Sequence, residues 1–228
     1  MSEAAGAATS APLLELAGVA KFYGSKLVFK DVSLAVRPGE VWIVAGENGA
    51  GKSTLLRIMA GLAKADAGAV SHGVEAGDIG LLGHETFIYP HLTALDNLRF
   101  WAGLHERPAD DASLDEALAR VGLTAAAHEK AGRFSRGMAQ RLSLARVLLL
   151  APALLLLDEP GTGLDARSRA MLEAEIAAAR KRGAGLVWVS HHLAHNLARA
   201  DKVICLKGRR AIYQGDAGGF RPEAEGLC

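Results

Sequence analysis

Apolar residues form two kinds of pattern along this chain, one typical of strands and one typical of helices. At 13–19 and 27–36 they alternate with other residues, which predicts half-buried strands. Short, nearly continuous apolar runs predict strands buried on both faces, and these lie at 41–45, 79–82, 153–158 and 185–189. Helical spacing covers 93 to about 123, continues to 149, and returns at 166–181. Strands and helices therefore alternate, as they do in α/β folds.

The same pattern divides the chain into one domain with an inserted subdomain and two loose ends. We expect a mobile arm at 1–12, because this segment is rich in Ala and Ser. A single domain is expected at 13–215, and a helical subdomain at about 84–145 interrupts its strands. The Gly-rich stretch that follows predicts a loose tail at 216–228.

The segment Gly46-Glu47-Asn48-Gly49-Ala50-Gly51-Lys52-Ser53-Thr54 has the spacing of a phosphate-binding loop. Its glycines let the backbone curl so that successive N–H groups point at a phosphate. Lys52 reaches the outer phosphates, and the Ser53 hydroxyl can ligate Mg²⁺. The helix that begins here adds the positive end of its dipole to the same site.

Two carboxylates follow the apolar run at 154–157. Asp158 ends a buried strand, where it can lie beside a phosphate-bound Mg²⁺. Glu159 comes one residue later and faces the other way, so it can polarise the attacking water. Together with the loop at 46–54, these residues predict a nucleoside triphosphatase.

Two further segments carry weaker signals. Ser135 is suited to cap the helix that follows it, and Gly137 permits close approach of the backbone to a phosphate. His191 follows the strand at 185–189, at the edge of the sheet where ligands bind. Taken alone, the first segment is also typical of an ordinary helix start, and His191 is as consistent with a structural role as with a chemical one.

Composition limits the kinds of partner. The 228 residues are half apolar, and 26 basic side chains oppose 25 acidic ones, so the net charge of +1 predicts no nucleic-acid partner. The longest apolar run, 147–157, contains Pro152 and is too short to cross a bilayer. Cys205 and Cys228 have no metal-ligand spacing and are interpreted as free thiols of a reducing cytosol. A soluble, cytosolic chain is expected.

The order of these motifs resembles that of the ATPase domains of ABC transporters, over residues 13 to about 215. The resemblance implies a P-loop core sheet with an antiparallel β element and an inserted helical subdomain. It also implies ATP and Mg²⁺ as cofactors, and hydrolysis that powers transport. A soluble ABC ATPase acting on a ribosome or on DNA is the alternative, although such proteins usually carry tandem domains. An unrelated P-loop kinase or GTPase would lack the Ser135 segment and His191.

The resemblance assigns a role to each matching residue. Tyr23 would stack on adenine, 46–54 would be the Walker A loop, and Asp158 the Walker B aspartate. Glu159 would be the catalytic glutamate and His191 the switch histidine that contacts the γ-phosphate.

Other matching residues are implied to act on a second protomer. Ser135 and Gly137 would grip the γ-phosphate of ATP bound to the opposite protomer, and Asp165 would belong to the D-loop. The implied partners are therefore a second ATPase protomer and one or more membrane-spanning permease subunits. The chain would lie peripherally on the cytoplasmic face of the inner membrane.

Two departures from the family pattern narrow the resemblance. His84, in Gly83-His84-Glu85-Thr86, stands where the Q-loop glutamine is usual, and either His84 or Glu85 can replace that glutamine. The signature reads Phe134-Ser135-Arg136-Gly137-Met138. Both segments look like those of the haem-exporter ATPases of bacterial cytochrome c maturation, although polysaccharide and drug exporters share much of the pattern. The resemblance places the permease contact at 87–90 and on the helix carrying Phe100 and Trp101.

Overall fold

The computed structural model describes residues 10–83, 85–107, 109–189 and 196–222. The strands in these ranges are β1 (Leu14–Tyr23), β2 (Lys26–Val36), β3 (Val41–Gly46), β4 (Ala67–His72), β5 (Ile79–Leu82), β6 (Leu154–Asp158), β7 (Gly185–Val189), β8 (Lys202–Lys207) and β9 (Arg210–Asp216). The helices are α1 (Lys52–Met59), α2 (Ala94–Leu104), α3 (Asp111–Arg120), α4 (Arg136–Leu149) and α5 (Ala166–Lys181).

The described strands form one sheet in the order β4-β1-β2-β9-β8-β3-β7-β6-β5. At one end, β4, β1 and β2 pair antiparallel. At the other end, β8, β3, β7, β6 and β5 run parallel, which brings their carboxyl ends to one edge. A single parallel pairing of Lys30 with Arg210 joins the two parts. The α/β fold with an antiparallel element is confirmed.

Alternate residues of the central strands face two separate cores. In β6, Leu155 and Leu157 pack with helices α2 to α5, while Leu154 and Leu156 pack on the opposite face with α1 and the antiparallel strands. The same division holds along β3 and β7. A strand covered on both faces needs apolar residues at every position, which explains the continuous runs in the sequence.

Helices α2, α3 and α4 form the helical subdomain, and each begins at a side chain that caps it. Thr93 accepts from the Asp96 N–H, Asp110 from the Ser113 N–H, and Ser135 from the Met138 N–H. These bonds satisfy N–H groups that the first turn of a helix leaves unpaired. They explain why the helices start at these residues.

Several boundaries differ from the expected ones. The helical segment at 93–123 is two helices, because the chain leaves α2 at His105 and re-enters at the Asp110 cap. The predicted loose tail at 216–228 is wrong for residues 216–220, since β9 ends at Asp216 and Phe220 is 2% exposed against the Tyr213 ring. Residues 1–9 of the expected arm lie outside the described residues.

Gly185→Ala should destabilise the fold, because it adds a methyl group where β7 begins. Its Cβ would lie 2.8 Å from Leu13 Cδ1, 2.9 Å from Val36 Cγ1 and 3.0 Å from the Arg37 carbonyl oxygen. Overpacking of this kind costs about 1–3 kcal/mol, which calorimetry would register as a lower melting temperature.

The matched control is Gly103→Ala in α2, where the new Cβ would have no described atom within 4 Å other than the backbone of its own helix. Since alanine is the better helix former, the free energy of unfolding of this variant should rise by about 0.5–1 kcal/mol. Equal melting temperatures for the two variants would contradict the packing around Gly185.

Candidate nucleotide-binding site

The loop at 46–54 connects the end of β3 to the start of α1, and its shape depends on glycines at two close approaches. Gly46 has φ 143° and Gly51 has φ 99°, both in the region that favours glycine. A Cβ on Gly46 would lie 2.4 Å from the Leu206 carbonyl oxygen, and one on Gly51 would lie 2.6 Å from Val28 Cγ1. Strands β8 and β2 therefore hold the loop at its two ends.

Helix α1 opens directly out of this loop. Its N-cap is Gly51, so no side chain caps the helix there. The first N–H groups of the helix thus stay available, together with the positive end of the helix dipole. This arrangement suits a phosphate group.

Lys52 lies under the loop and is 7% exposed. Its Nζ donates to the carbonyl oxygens of Gly46 and Glu47, at 2.8 and 2.9 Å. Burial lowers the pKa of Lys52, and the nearby charges of Glu159 and Asp158 oppose that shift. The ammonium group is therefore held between the phosphate-binding loop and the two carboxylates.

The register of the parallel strands brings Asp158 level with the phosphate-binding loop. Val189 of β7 pairs with Val44 on one side and with Asp158 on the other. Asp158 is 7% exposed, and its buried Oδ1 has no hydrogen-bond partner among the described residues. A buried carboxylate oxygen without a partner is costly unless a cation or donor binds it. With the exposed Ser53 hydroxyl, the site fits Mg²⁺, a cation that binds oxygen ligands.

Glu159 leaves the strand with a left-handed backbone, φ 52°. Its N–H donates to the Val189 carbonyl oxygen at 3.0 Å, and Oε2 accepts from the Thr162 hydroxyl at 3.3 Å. The side chain lines the same cavity as the phosphate-binding loop. A half-buried carboxylate held in this position can accept a proton from water.

A cavity of about 530 Å³ is lined by residues 47–54 and Glu159. Tyr23, 57% exposed, lines it, and the Lys21 ammonium lies 5.5 Å from the Tyr23 ring. One wall was missed by sequence reasoning: Lys207, Gly208 and Arg209, at the turn between β8 and β9. The apolar run at 203–206 followed by Gly208 was an available hairpin signal.

A second cavity, of about 390 Å³, shares Ser53 and Thr54 with the first. Ser53 and Asp158 line it together with Arg57, Glu85 and Phe87. Arg57 Nη2 and Glu85 Oε1 are 3.8 Å apart and more than half exposed, a distance and exposure at which an ion pair contributes little. Of the two residues considered for the Q-loop position, Glu85 lies beside the candidate metal ligands, and His84 lies outside the described residues.

Ser135, Gly137 and Asp165 do not line the cavity that contains the phosphate-binding loop. Ser135 caps α4, and Asp165 caps α5 by accepting from the Ser168 N–H at 2.7 Å, a bond that lowers the pKa of Asp165. Apart from the backbone of its own helix, no atom of the described residues lies within 4 Å of a Cβ placed on Gly137, so packing among them does not require glycine there. His191 lies outside the described residues.

Helix α4 contacts the loop that follows Asp158 and Glu159. Gln140 Nε2 donates to the Pro160 carbonyl oxygen at 3.4 Å. Further along the loop, the Arg136 side chain lies against Gly163, 3.5 Å from the position of a Cβ there. The start of α4 and the chain after Glu159 are therefore neighbours.

Fold and site together define a P-loop ATPase with an inserted helical subdomain. A solved structure described as the ATP-binding subunit of an ABC transporter matches with a TM-score of 0.84, 27% identity, and 94% coverage of both chains. A dimeric ATP-binding cassette in a post-hydrolysis state, bound to ADP and Pi, matches with a TM-score of 0.81 at 25% identity, over 91% of this chain and all of that one.

The family model described as ABC transporter matches residues 29–162. The chain belongs to this family: it is an ATP-binding subunit of a transporter, and it couples ATP hydrolysis to transport. No helix in the described part of the chain is long and apolar enough to cross a membrane.

Curated relatives differ in the direction of transport that their names give. An uncharacterized ABC transporter ATP-binding protein, YdbJ of Bacillus subtilis, is 37% identical over 86% of this chain and 67% of its own length. The cytochrome c biogenesis ATP-binding export protein CcmA of Vibrio cholerae is 34% identical over 78% of this chain and 91% of its own length. The aliphatic sulfonates import ATP-binding protein SsuB 2 of Burkholderia lata is 40% identical over 88% of this chain and 75% of its own length.

Tyr23→Ala should raise the KM for ATP roughly tenfold while changing kcat little, because stacking of a base on an aromatic ring is remote from the reacting phosphate. Steady-state kinetics would measure both constants. Phe22→Ala is the control: its ring is 40% exposed but does not line the cavity, so its KM should stay at the wild-type value. A wild-type KM in Tyr23→Ala would contradict the stacking role.

Glu159→Gln should leave ATP binding intact and lower hydrolysis by about 100-fold or more, because the amide cannot accept a proton from water. Phosphate release and nucleotide binding would be measured in parallel. With ATP and Mg²⁺ the variant should elute as a dimer in gel filtration. Glu15→Gln, at an exposed carboxylate on β1, is the control. Hydrolysis within tenfold of wild type would contradict the role of Glu159.

Proposed function

We propose that this chain is the Mg²⁺-dependent, ATP-hydrolysing subunit of an ABC exporter, and that the exporter is of the haem type found in cytochrome c biogenesis. The proposal has three parts, which concern the site chemistry, the arrangement of partners, and the direction and cargo of transport. Each part is supported by different residues.

In the proposed site chemistry, the loop N–H groups and the start of α1 bind the β- and γ-phosphates, and Lys52 orients the γ-phosphate from below. Ser53 and Asp158 would hold Mg²⁺, which neutralises phosphate charge when bound. Glu159 would orient the attacking water and take its proton. Tyr23 would stack on the adenine, and His191 would contact the γ-phosphate.

In the proposed arrangement of partners, two copies of the chain sandwich two ATP molecules. Ser135, Gly137 and Asp165 support this, because they lie outside the cavity that holds the chain's own phosphate-binding loop. Gly137 lies in the first turn of α4, and nothing described in its own chain needs the space beside it. A phosphate group of ATP bound to the second copy would occupy that space.

A cluster of aromatic side chains supports contact with a membrane-spanning permease. Phe87, Tyr89 and Phe100 are each more than 40% exposed, and with Trp101 they form what we name the aromatic surface. The rings of Tyr89, Phe100 and Trp101 contact one another, Tyr89 and Phe100 at 4.7 Å and Phe100 and Trp101 at 5.9 Å between centroids. Clustered exposed aromatics are typical of protein–protein contacts. Docking here would place the chain on the cytoplasmic face of the membrane.

One observation carries the direction and cargo: the cytochrome c biogenesis export protein matches over 91% of its own length, a larger share than the importer or YdbJ. The segments at 83–86 and 134–138 support the same assignment, since both depart from the general family pattern in the manner of haem-exporter ATPases. The chain itself would contact its cargo only through the permease.

Deleting the gene should abolish assembly of periplasmic c-type cytochromes and leave membrane b-type haemoproteins intact, because only the former need exported haem. Haem staining of gels would measure the first group, and difference spectra of membranes the second. A copy carrying Glu15→Gln should restore c-type cytochromes, and one carrying Glu159→Gln should not.

Normal c-type cytochromes in the deletion strain would contradict haem export. A defect in export of a polysaccharide or a drug would then identify another ABC exporter. A defect in uptake would overturn the exporter proposal itself.

A further inference from the structure

Arg146 of α4 is a buried cation in the helical subdomain. It is 7% exposed, and its guanidinium carbon lies 4.6 Å from the centre of the Trp101 ring and 5.7 Å from that of Phe87. Cations over the faces of aromatic rings are attracted by the ring quadrupole, and tryptophan attracts most strongly. Arg146 therefore lies behind two members of the aromatic surface.

Among the described residues, no carboxylate lies within ion-pair distance of this guanidinium. Nη2 donates to the Leu81 carbonyl oxygen at 3.4 Å, and the buried Nε has no partner in the described ranges. Burial and the positive charges of Arg107 and Arg146 lower the pKa of the nearby His105, and Arg107 pairs with Asp78. Burial lowers the pKa of Arg146 to about 10. Buried arginines are normally paired, so this one is costly to the fold.

The same residues hold the segment after Gly83 in a specific conformation. Phe87 has φ 51°, a left-handed backbone that is uncommon for a bulky residue. The Trp101 indole N–H donates to the Phe87 carbonyl oxygen at 3.1 Å, and Asn97 bonds both the N–H and the carbonyl of Tyr89. Arg146 contacts the two rings at the centre of this arrangement.

Helix α4 connects this arrangement to the catalytic edge. Its first turn carries the Ser135 cap, and Gln140 bonds the Pro160 carbonyl next to Glu159. Arg146 lies on the same helix, about 15 Å from its start at 1.5 Å per residue. A displacement of Phe87 or Trp101 would therefore act on α4 through the Arg146 side chain.

We propose that Arg146 is a positioning residue that fixes Phe87 and Trp101 to the signature helix α4 and so transmits permease docking to ATP hydrolysis. The inference rests on the proposed docking function of the aromatic surface. It deepens that proposal by naming the side chain through which the surface acts.

Thermal stability distinguishes this role of Arg146 from a structural one. A structural arginine stabilises the fold, so replacing it lowers the melting temperature and every activity together. Replacing buried ion pairs by apolar side chains of similar volume is often neutral or stabilising, because the desolvation cost of the charges disappears, and Arg146 has no described anionic partner to offset that cost. Arg146 should therefore show lost function with retained or raised stability.

The test compares Arg146→Met with Arg146→Lys and wild type, each as the full chain. Binding to inverted membrane vesicles from the deletion strain is measured by sedimentation, and ATPase activity is measured with and without the vesicles. Arg146→Met should melt no lower than wild type and lose at least threefold in the ratio of vesicle-stimulated to unstimulated ATPase. Arg146→Lys keeps the cation and should retain at least half of the wild-type ratio.

Two further variants serve as controls. Arg141→Met removes another α4 arginine, whose Nη1 bonds the Val121 and Gly122 carbonyls, so it should melt lower and keep its stimulation ratio. Tyr89→Asp places a charge on the aromatic surface itself and should release the chain from the vesicles.

The outcomes separate the two proposals. If Tyr89→Asp releases the chain while Arg146→Met keeps the wild-type ratio, docking stands and the role of Arg146 is overturned. If Arg146→Met melts lower and loses stimulated and unstimulated activity equally, Arg146 is structural and the inference is also overturned. If Tyr89→Asp stays bound and stimulated, the docking proposal fails, and the inference fails with it.

Discussion

The register of three parallel strands is the constraint on which the rest of the site depends. Val189 of β7 pairs with Val44 and with Asp158, so the end of β3 and the end of β6 are level across the sheet. The Val189 carbonyl also accepts the Glu159 N–H, which fixes the turn after β6. A shift of one residue would send each strand's side chains to the opposite core and Asp158 away from the loop. Burial of both faces makes that shift costly.

The central sheet and the position of the candidate site at its edge were predictable because each has a local sequence pattern. A continuous apolar run specifies a strand covered on both faces, and the carboxyl ends of such strands lie at one edge of the sheet. The start of α4 at the Ser135 cap was predictable for the same reason. The assignment of ABC type rested on the order of these motifs, and the family match confirms it.

Features that depend on distant contacts were not predictable. Strand β4 is largely exposed and exists through its pairing with β1, so its own residues carry no alternation. The sequence around Phe220 indicates a loose tail, and only the folded structure brings the Tyr213 ring into contact with Phe220. Arg146 falls within a helical pattern where an arginine is unremarkable, and its burial follows only from the positions of Phe87 and Trp101. Contacts between residues that are distant along the chain cannot be inferred from the amino-acid composition.

The start of α1 has a thermodynamic consequence. A helix normally completes its first turn with a side chain of the same protein, but Gly51 supplies none, and the bound phosphates would take that place. The nucleotide would then act as the cap that Gly51 does not supply. The free energy of nucleotide binding would add to the free energy of unfolding. At a free concentration one hundred times its dissociation constant, a ligand adds about 2.7 kcal/mol to stability. If the phosphates of ATP take the place of that cap, the melting temperature of this subunit would rise with the concentration of free nucleotide.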